Sequence, residues 1–272
     1  MEGQIVKIIS NDYFVKTNNN EYICKARGKF RQENITPKVG DFCLFDEKEK
    51  VIKEIKPRIN TLSRPLVSNI NQAFIVTSLK NPDFSSNLLD KLICICILNN
   101  IEPIICLTKK DLLTKSEYKD LKKIINYYKK LGIKVVYNNN INKIKKLLKH
   151  KTTVFTGQTG AGKSSLMNKL DKSLNFETNE ISKALGRGKH TTRTVSLVEI
   201  NNGKVLDTPG FSDIDLSVYK KEDIRDSFKE FKSKCKYTNC MHINEKECVV
   251  KELVNKNIIL KSRYENYIKF IK

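Results

Sequence analysis

The sequence predicts an α/β chain in three parts. An all-β barrel spans residues 1–62, a domain of alternating strands and helices spans 63–215, and a helical part with a Cys/His cluster spans 216–272. Three observations predict it. Residues 1–60 hold five short runs rich in Val, Ile, Phe and Tyr, parted by turn formers such as "TNNN" and "PKVGD". From residue 73, strand-like and helix-like runs alternate, the rhythm of a parallel sheet covered on both faces. From 216 onward the chain reads as helical around "CKYTNCMHINEKEC".

The first five strands are "GQIVKIIS", "YFVKTN", "EYICKARG", "VGDFCLFD" and "KVIKEIKP", a number that fits a small closed barrel. "KPRINTLSRP", with prolines at 57 and 65, reads as a linker. In the second part "AFIVTSL", "EPIICL", "IKVVY" and "TTVFTG" are strands. "SNLLDKLICICILNN" is a helix, "SEYKDLKKIINYYKKLG" an amphipathic helix stopped by Gly132, and "NINKIKKLLKHK" a basic helix.

Composition bounds the function. The 272 residues carry 51 Lys and Arg against 30 Asp and Glu, a net charge of +21. That surplus predicts a polyanionic partner, nucleic acid first, because each neutralised phosphate releases counterions. No run of about 18 apolar residues is present, so no membrane helix is expected, and the opening residues lack a secretory pattern. The cytoplasm is the expected compartment. Cys24, Cys43, Cys94, Cys96 and Cys106 lie in apolar runs and read as small core residues of a reducing compartment.

"GQTGAGKS", Gly157 to Ser164, fits the phosphate-binding pattern of two glycines, lysine and serine, between a strand and a helix. Gly157, Gln158, Thr159, Gly160, Ala161, Gly162, Lys163, Ser164 and Ser165 are expected to wrap the phosphates. Glycines free the backbone N–H groups to face phosphate oxygens. Lys163 would neutralise the β- and γ-phosphates as a catalytic cation, and Ser164 would ligate Mg²⁺. "DTPG" follows the strand "GKVLD". There Asp207 would hold Mg²⁺ through water, and the Gly210 amide would meet the γ-phosphate. Between the two lies "GRGKHTTR", where Thr191 or Thr192 could ligate Mg²⁺ when the γ-phosphate is present; Thr192 is the choice.

Two tetrapeptides compete to read the base. "NKLD", Asn168 to Asp171, sits on the helix leaving the phosphate loop, with Asp171 roughly 12 Å from the phosphates and Leu166 and Leu170 on a core face. It reads as a decoy. "TKKD", Thr108 to Asp111, follows the strand "EPIICL", and parallel sheets bind ligands beyond the carboxyl ends of their strands. Asp111 there can accept from the N1–H and 2-amino group of guanine, whereas adenine would leave the carboxylate unpaired. The Lys109 stem can pack over the base, and Lys110 completes the set. The base reader thus precedes the phosphate loop, the reverse of the usual order in GTP-binding domains. The domain reads as circularly permuted, which keeps the contacts if the old termini lie close together.

Cys235, Cys240, His242 and Cys248 make a Cys₃His set in fourteen residues, a closed tetrahedral donor set for one structural zinc.

These motifs, with "PRINTLSRP", "GQTGAGKSSLMNKL", "NEISKALGRGKHTTR" and "DTPGF", resemble the bacterial small-ribosomal-subunit-dependent GTPases, a circularly permuted family of ribosome assembly factors. The resemblance spans nearly the whole chain. It implies an N-terminal OB barrel, a permuted GTPase domain and a C-terminal zinc knob with helices. It also implies a GTPase bound to the small (30S) subunit, its 16S rRNA and nearby proteins, acting late in maturation, with hydrolysis stimulated by the subunit and the chain a monomer. Phe211 stands where other GTPases carry the water-orienting Gln, and the resemblance places His190 in that catalytic role. Phe14, Tyr22, Phe30 and Phe42 are the barrel's candidate base platforms. Thr108 replaces the usual Asn, and "NNN" at 138–140 stands where a backbone contact to the base is expected, from Asn138 or a neighbour. Two other readings are an RNA-binding scaffold with little hydrolysis and a permuted GTPase of the large subunit.

Overall fold

The computed structural model describes residues 1–62, 66–172, 195–207, 215–232 and 235–272, with backbone alone described at Arg31 and Asp207. Strands β1 (Glu2–Ile9), β2 (Asp12–Lys16), β3 (Glu21–Ala26), β4 (Phe42–Asp46) and β5 (Val51–Ile55) follow the predicted runs. They pair in the order β1-β2-β3-β5-β4, and β4 returns to β1, closing the OB-like barrel. Only the β3–β5 pair is parallel. Ile5, Val15, Cys24, Cys43, Phe45 and Ile52 fill the interior. Tyr22 and Phe30, two of the candidate base platforms, belong to that core. Phe14 is half-buried and Phe42 exposed, with the ammonium groups of Lys7 and Lys204 at 5.4 and 5.8 Å from their ring centroids.

The segment expected as a linker is a bolted joint. Thr61–Leu62 and Val67–Ser68 form a short antiparallel pair, β6 and β7. Arg58 donates twice to the fully buried Asp41 carboxylate, from Nε and Nη2, both at 2.7 Å. Ser68 Oγ donates to the same carboxylate at 2.5 Å, and Asn60 Nδ2 donates to Ile70 O at 2.7 Å. A buried carboxylate needs such partners, so Asp41 ties the barrel to the β6–β7 pair. The prolines at 57 and 65 signalled a break in regular structure, and composition alone does not reveal a buried carboxylate waiting for Arg58.

The second part is a six-stranded sheet in the order β10-β9-β8-β11-β13-β12, comprising β8 (Gln72–Ser78), β9 (Glu102–Thr108), β10 (Lys134–Tyr137), β11 (Thr152–Gly157), β12 (Ser196–Ile200) and β13 (Gly203–Asp207). All pairs are parallel except β12–β13, a hairpin turned by Asn201 and Asn202, both at positive φ. β1 of the barrel adds to β12 at Lys7 and Ser196, so barrel and sheet are continuous.

Side chains alternate across this sheet, as a strand demands. Ile75, Ile105, Leu107, Val154 and Leu206 pack on one face against α2 (Ser86–Leu98) and α3 (Lys115–Lys130). Phe74, Val76, Ile104, Cys106 and Phe155 pack on the other against α4 (Ile141–Leu148) and α5 (Lys163–Leu170). The caps explain the helix starts. Ser85 accepts from Leu88 N, Thr114 and Glu117 form a capping box, and Asn140 accepts from Lys143 N. The five core cysteines are buried, and burial pushes the Cys106 thiol up to about 12.

In the C-terminal part the helices Lys221–Ser227 and Lys261–Phe270 pack against α2, and the helix Val249–Asn255 packs on the last of these. Arg263, buried, donates to Asp90 Oδ1 of α2 at 2.5 Å and pairs with Glu230. Asn266 and the Tyr128 hydroxyl donate to the same Asp90 carboxylate, each at 2.7 Å. The Arg263 guanidinium lies 4.6 Å from the Phe228 ring centroid. This network joins α2, α3 and the last helix through a single buried carboxylate.

Candidate nucleotide site and metal centre

β11 and β8 are neighbours, yet α5 leaves β11 on one face and α2 leaves β8 on the other. That reversal opens a crevice at the strands' carboxyl ends, where ligands of open α/β sheets sit. The loop 157–162 lies there. Gly157 has φ +132°, and a Cβ on it would stand 2.1 Å from Val76 O, so no other residue fits. Gly162, at φ +94°, starts α5 and leaves its first N–H groups facing outward. Lys163 Nζ donates to Gly157 O and Gln158 O, both at 2.9 Å, which folds the ammonium over the loop. Burial pulls its pKa down. Among the described residues its partners are carbonyls, so an arriving phosphate would bring this half-buried cation a counter-charge.

The loop after β9 touches the phosphate loop directly. Thr108 Oγ1 donates to Ala161 O at 2.7 Å, with both residues buried. Lys109, at φ +56°, donates from Nζ to Gly160 O at 2.9 Å and to Asn81 O. Thr108 therefore makes, with a hydroxyl, the loop-to-loop bond that a side-chain amide could make. Asp111 follows in a short 3₁₀ turn, Lys110–Leu112, with its side chain exposed. Lys110 is turned aside: its ammonium lies 4.3 and 5.4 Å from the ring centroids of Tyr118 and Tyr137. The tetrapeptide 168–171 closes the other end of α5, with Leu166 and Leu170 in the core and Asp171 at its C-cap.

Gln158, Ser164 and the glycine backbone line the same loop, with Thr159, Gly160 and Ser165 exposed along it. The Asn138 amide donates to Leu107 O at 3.0 Å, and Asn139 next to it is exposed. Asp207 ends β13, opposite Ser196. His190, Thr191, Thr192, Gly210 and Phe211 lie outside the described residues.

Cys235, Cys240, His242 and Cys248 converge in the C-terminal part, with their ligand atoms all within 4.8 Å of one another. His242 Nδ1 is 3.3 Å from Cys248 Sγ and 3.6 Å from Cys235 Sγ, and the Sγ atoms of Cys240 and Cys248 are 3.8 Å apart. A tetrahedral zinc ion with bonds of 2.0–2.3 Å needs donors about 3.3–3.8 Å apart; these three separations lie in that range, the Sγ atoms of Cys235 and Cys248 stand a little wider at 4.0 Å, and the donor types suit zinc. The Tyr264 and Tyr267 hydroxyls donate to His242 O and Met241 O, both at 2.6 Å. Glu245 accepts from the Met241 and Ile243 amides, at 2.6 and 2.7 Å. These bonds hold the ligand loop against the last helix, as outer partners of a metal site do.

Residues 55–217 match the RsgA GTPase family and residues 2–51 the RsgA N-terminal domain. The chain belongs to the RsgA GTPase family. It is 46% identical to the small ribosomal subunit biogenesis GTPase RsgA of Clostridium novyi, and 44% identical to RsgA 2 of Oceanobacillus iheyensis. Each match covers 99% of this chain and 96% of the relative. Among solved structures, YjeQ from Thermotoga maritima superposes with a TM-score of 0.85 at 31% identity, covering 99% of this chain and 96% of that one. YloQ, described as a circularly permuted GTPase, gives 0.83 at 33%, covering 99% and 93%. The RsgA-family chain is thus a GTPase with the permuted fold. Its sheet reads in the common GTPase connection order when counting starts at β11 and wraps round to β8. Missed by the sequence reading were Asn81 and Ala161 as partners of the base loop, since backbone carbonyls leave no sequence signal.

Proposed function

We propose that this RsgA-family GTPase binds the small ribosomal subunit through its 16S rRNA and nearby proteins, and acts late in that subunit's maturation. The subunit accelerates hydrolysis, and the chain works as a cytoplasmic monomer. The observation that carries the nucleotide half of this reading is the 2.7 Å bond between Thr108 and Ala161, which brings a base-reading segment onto a phosphate loop. The printed names of the relatives support the partner, and the surplus of 51 cationic over 30 acidic side chains suits a polyanion.

Asp111 would accept from guanine, with Lys109 over the ring and the exposed Asn139 as the nearest candidate for a backbone contact. Residues 157–165 would hold the phosphates, and Lys163 would stabilise charge growing on the β–γ bridge. Ser164, Asp207 and Thr192 would hold Mg²⁺, which supplies charge neutralisation on the phosphates when bound. Gly210 would meet the γ-phosphate and His190 would position water. Cys235, Cys240, His242 and Cys248 would hold one zinc that ties the ligand loop to the last helix. The working limits are 1–62 for the barrel, 63–215 for the GTPase domain and 216–272 for the zinc-binding part. The test is GTP turnover with purified small or large subunits added. Acceleration by the small subunit alone supports the reading. No acceleration at any salt concentration, or acceleration by the large subunit alone, overturns it.

A further inference from the structure

A second concave site stands apart from the nucleotide crevice. A cavity of about 520 Å³ opens between α2, the segment 215–224 and the end of the last helix. That volume falls within the ~300–1,000 Å³ of small-ligand sites. Lys91 of α2, Lys221 and Lys269 line it, and none of the three makes an ion pair within 4.0 Å among the described residues. The Asp215 carboxylate on the same wall accepts from the Ser217 amide at 3.0 Å, so its charge is partly engaged by its own turn. Tyr219, Phe270 and Leu216 supply an apolar, partly aromatic lining. The Tyr219 hydroxyl accepts from Asn99 Nδ2 at 2.8 Å, and the Phe270 ring lies 6.3 Å from that of Phe228, so both rings are anchored from behind.

Three ammonium groups outside any close ion pair among the described residues, of which Lys91 also acts on the Asp215 carboxylate, stand beside two anchored aromatic rings and match a ligand that is anionic at one end and flat at the other. Inorganic phosphate would leave the rings unused, and an acidic peptide would use the lysines but not the flat faces. We propose that this cavity binds a phosphorylated nucleoside, its phosphate against Lys91, Lys221 and Lys269 and its base against Tyr219 and Phe270. The source we favour is one unit of a single-stranded RNA, which rests on the reading above that RNA is a partner.

The test uses the full chain saturated with GDP, which closes the GTPase site to the probe. A short fluorescein-labelled oligouridylate is titrated onto wild type, Lys91→Glu/Lys269→Glu, and Lys122→Glu/Lys129→Glu as an equal-charge control on the exposed face of α3. Melting temperature and GDP retention of each variant report folding. The cavity pair should weaken binding about tenfold and lower the slope of log affinity against log salt by about 0.7, the share of the one phosphate no longer neutralised. The control pair should change affinity by less than about threefold. A photoreactive 4-thiouridine in the probe should cross-link to residues 215–221 or 269–272. Displacement by the oligomer alone identifies the RNA strand as the source. Displacement by UMP, at equal nucleotide units, identifies a free nucleotide, and both uphold the cavity. Equal loss in the two variants, cross-links confined to the barrel, or displacement by polyglutamate as effective as by RNA overturns it. Wild type that binds small subunits while the cavity pair behaves like the control sinks this inference alone. Wild type that binds the oligomer through the cavity but never binds subunits sinks the proposed function instead.

Discussion

Thr108→Val removes one hydroxyl and little else. Valine has nearly the shape of threonine, and Thr108 is only 1% exposed, so no water replaces the lost donor. The Ala161 carbonyl, in a fully buried residue, loses its 2.7 Å partner. Stranding a buried acceptor costs about 1–3 kcal/mol, which corresponds to about 5- to 150-fold in an equilibrium. The loss divides between two readouts. Where the bond holds the two loops together without nucleotide, it lowers the melting temperature. Where GDP needs the loops in register, it lowers affinity. Calorimetric titration with GDP, and thermal melts with and without it, measure both. Thr108→Asn should recover most of the loss, because its amide can also donate to Ala161 O. Thr108→Val that binds GDP within about twofold of wild type and melts unchanged would refute the idea that this bond organises the site.

Three further outcomes are expected. Arg263→Met leaves the buried Asp90 and Glu230 carboxylates without their cation, and denaturant unfolding should show a loss of about 3–5 kcal/mol. Elemental analysis should find one zinc per chain; Cys248→Ala should lose it, and chelation should lower the melting temperature of wild type towards that variant. Glu117 is held at about 2 by the Lys80 ammonium, then by the Thr114 amide and hydroxyl. A depressed carboxylate contributes stability above its ordinary 4.5 and loses it as pH falls through about 2. Glu117→Gln should therefore fall less than wild type over that window in acid melts.

The parts of the fold that were legible are those written in local pattern. β8 is buried at every position and reads as an apolar run over Ala73–Val76, as the middle of a central parallel strand does. The phosphate loop was legible because Gly157 tolerates no other residue against Val76 O. The place of the loop 108–111 beyond β9 was legible from the strand before it, although its partners Ala161, Gly160 and Asn81 are backbone carbonyls and carry no letter. The segment 56–65 was misjudged, since the Arg58–Asp41 pair spans seventeen positions and its signal is one buried acid among many exposed ones. The Asp90–Arg263 contact is harder still, with partners 173 positions apart on surfaces that only the finished fold brings together. Tyr22 and Phe30 share the composition of a stacking platform, yet inward alternation along β3 takes Tyr22, and the helical turn Lys29–Gln32 takes Phe30, for the barrel core. The strand β12 was overlooked even though "NNG" after it is a strong hairpin signal.

Continuity of the sheet gives the permuted order a mechanical consequence. Ser196 is opposite Asp207 on one side and Lys7 of the barrel on the other. The strand that ends at Asp207, its hairpin partner and the first barrel strand thus form one ladder. Lys16 and Glu199 reinforce the joint with an ion pair at 2.9 Å, and Lys204 reaches Gln4 across it. The buried Arg263 network ties the other end of the domain to the part that carries the Cys₃His cluster.

The central claim is that two segments in reversed chain order grip opposite ends of one guanine nucleotide. The most direct measurement is the affinity of wild type and Asp111→Asn for GDP, ADP and xanthosine diphosphate. A carboxylate accepts twice from guanine, whereas an asparagine sets its own NH₂ against the 2-amino group but can donate to the 2-oxo group of xanthine. The account predicts that wild type prefers GDP over ADP by several orders of magnitude and that Asp111→Asn exchanges GDP for the xanthosine nucleotide. Wild type that binds ADP as tightly as GDP, or Asp111→Asn with its guanine preference intact, would contradict it.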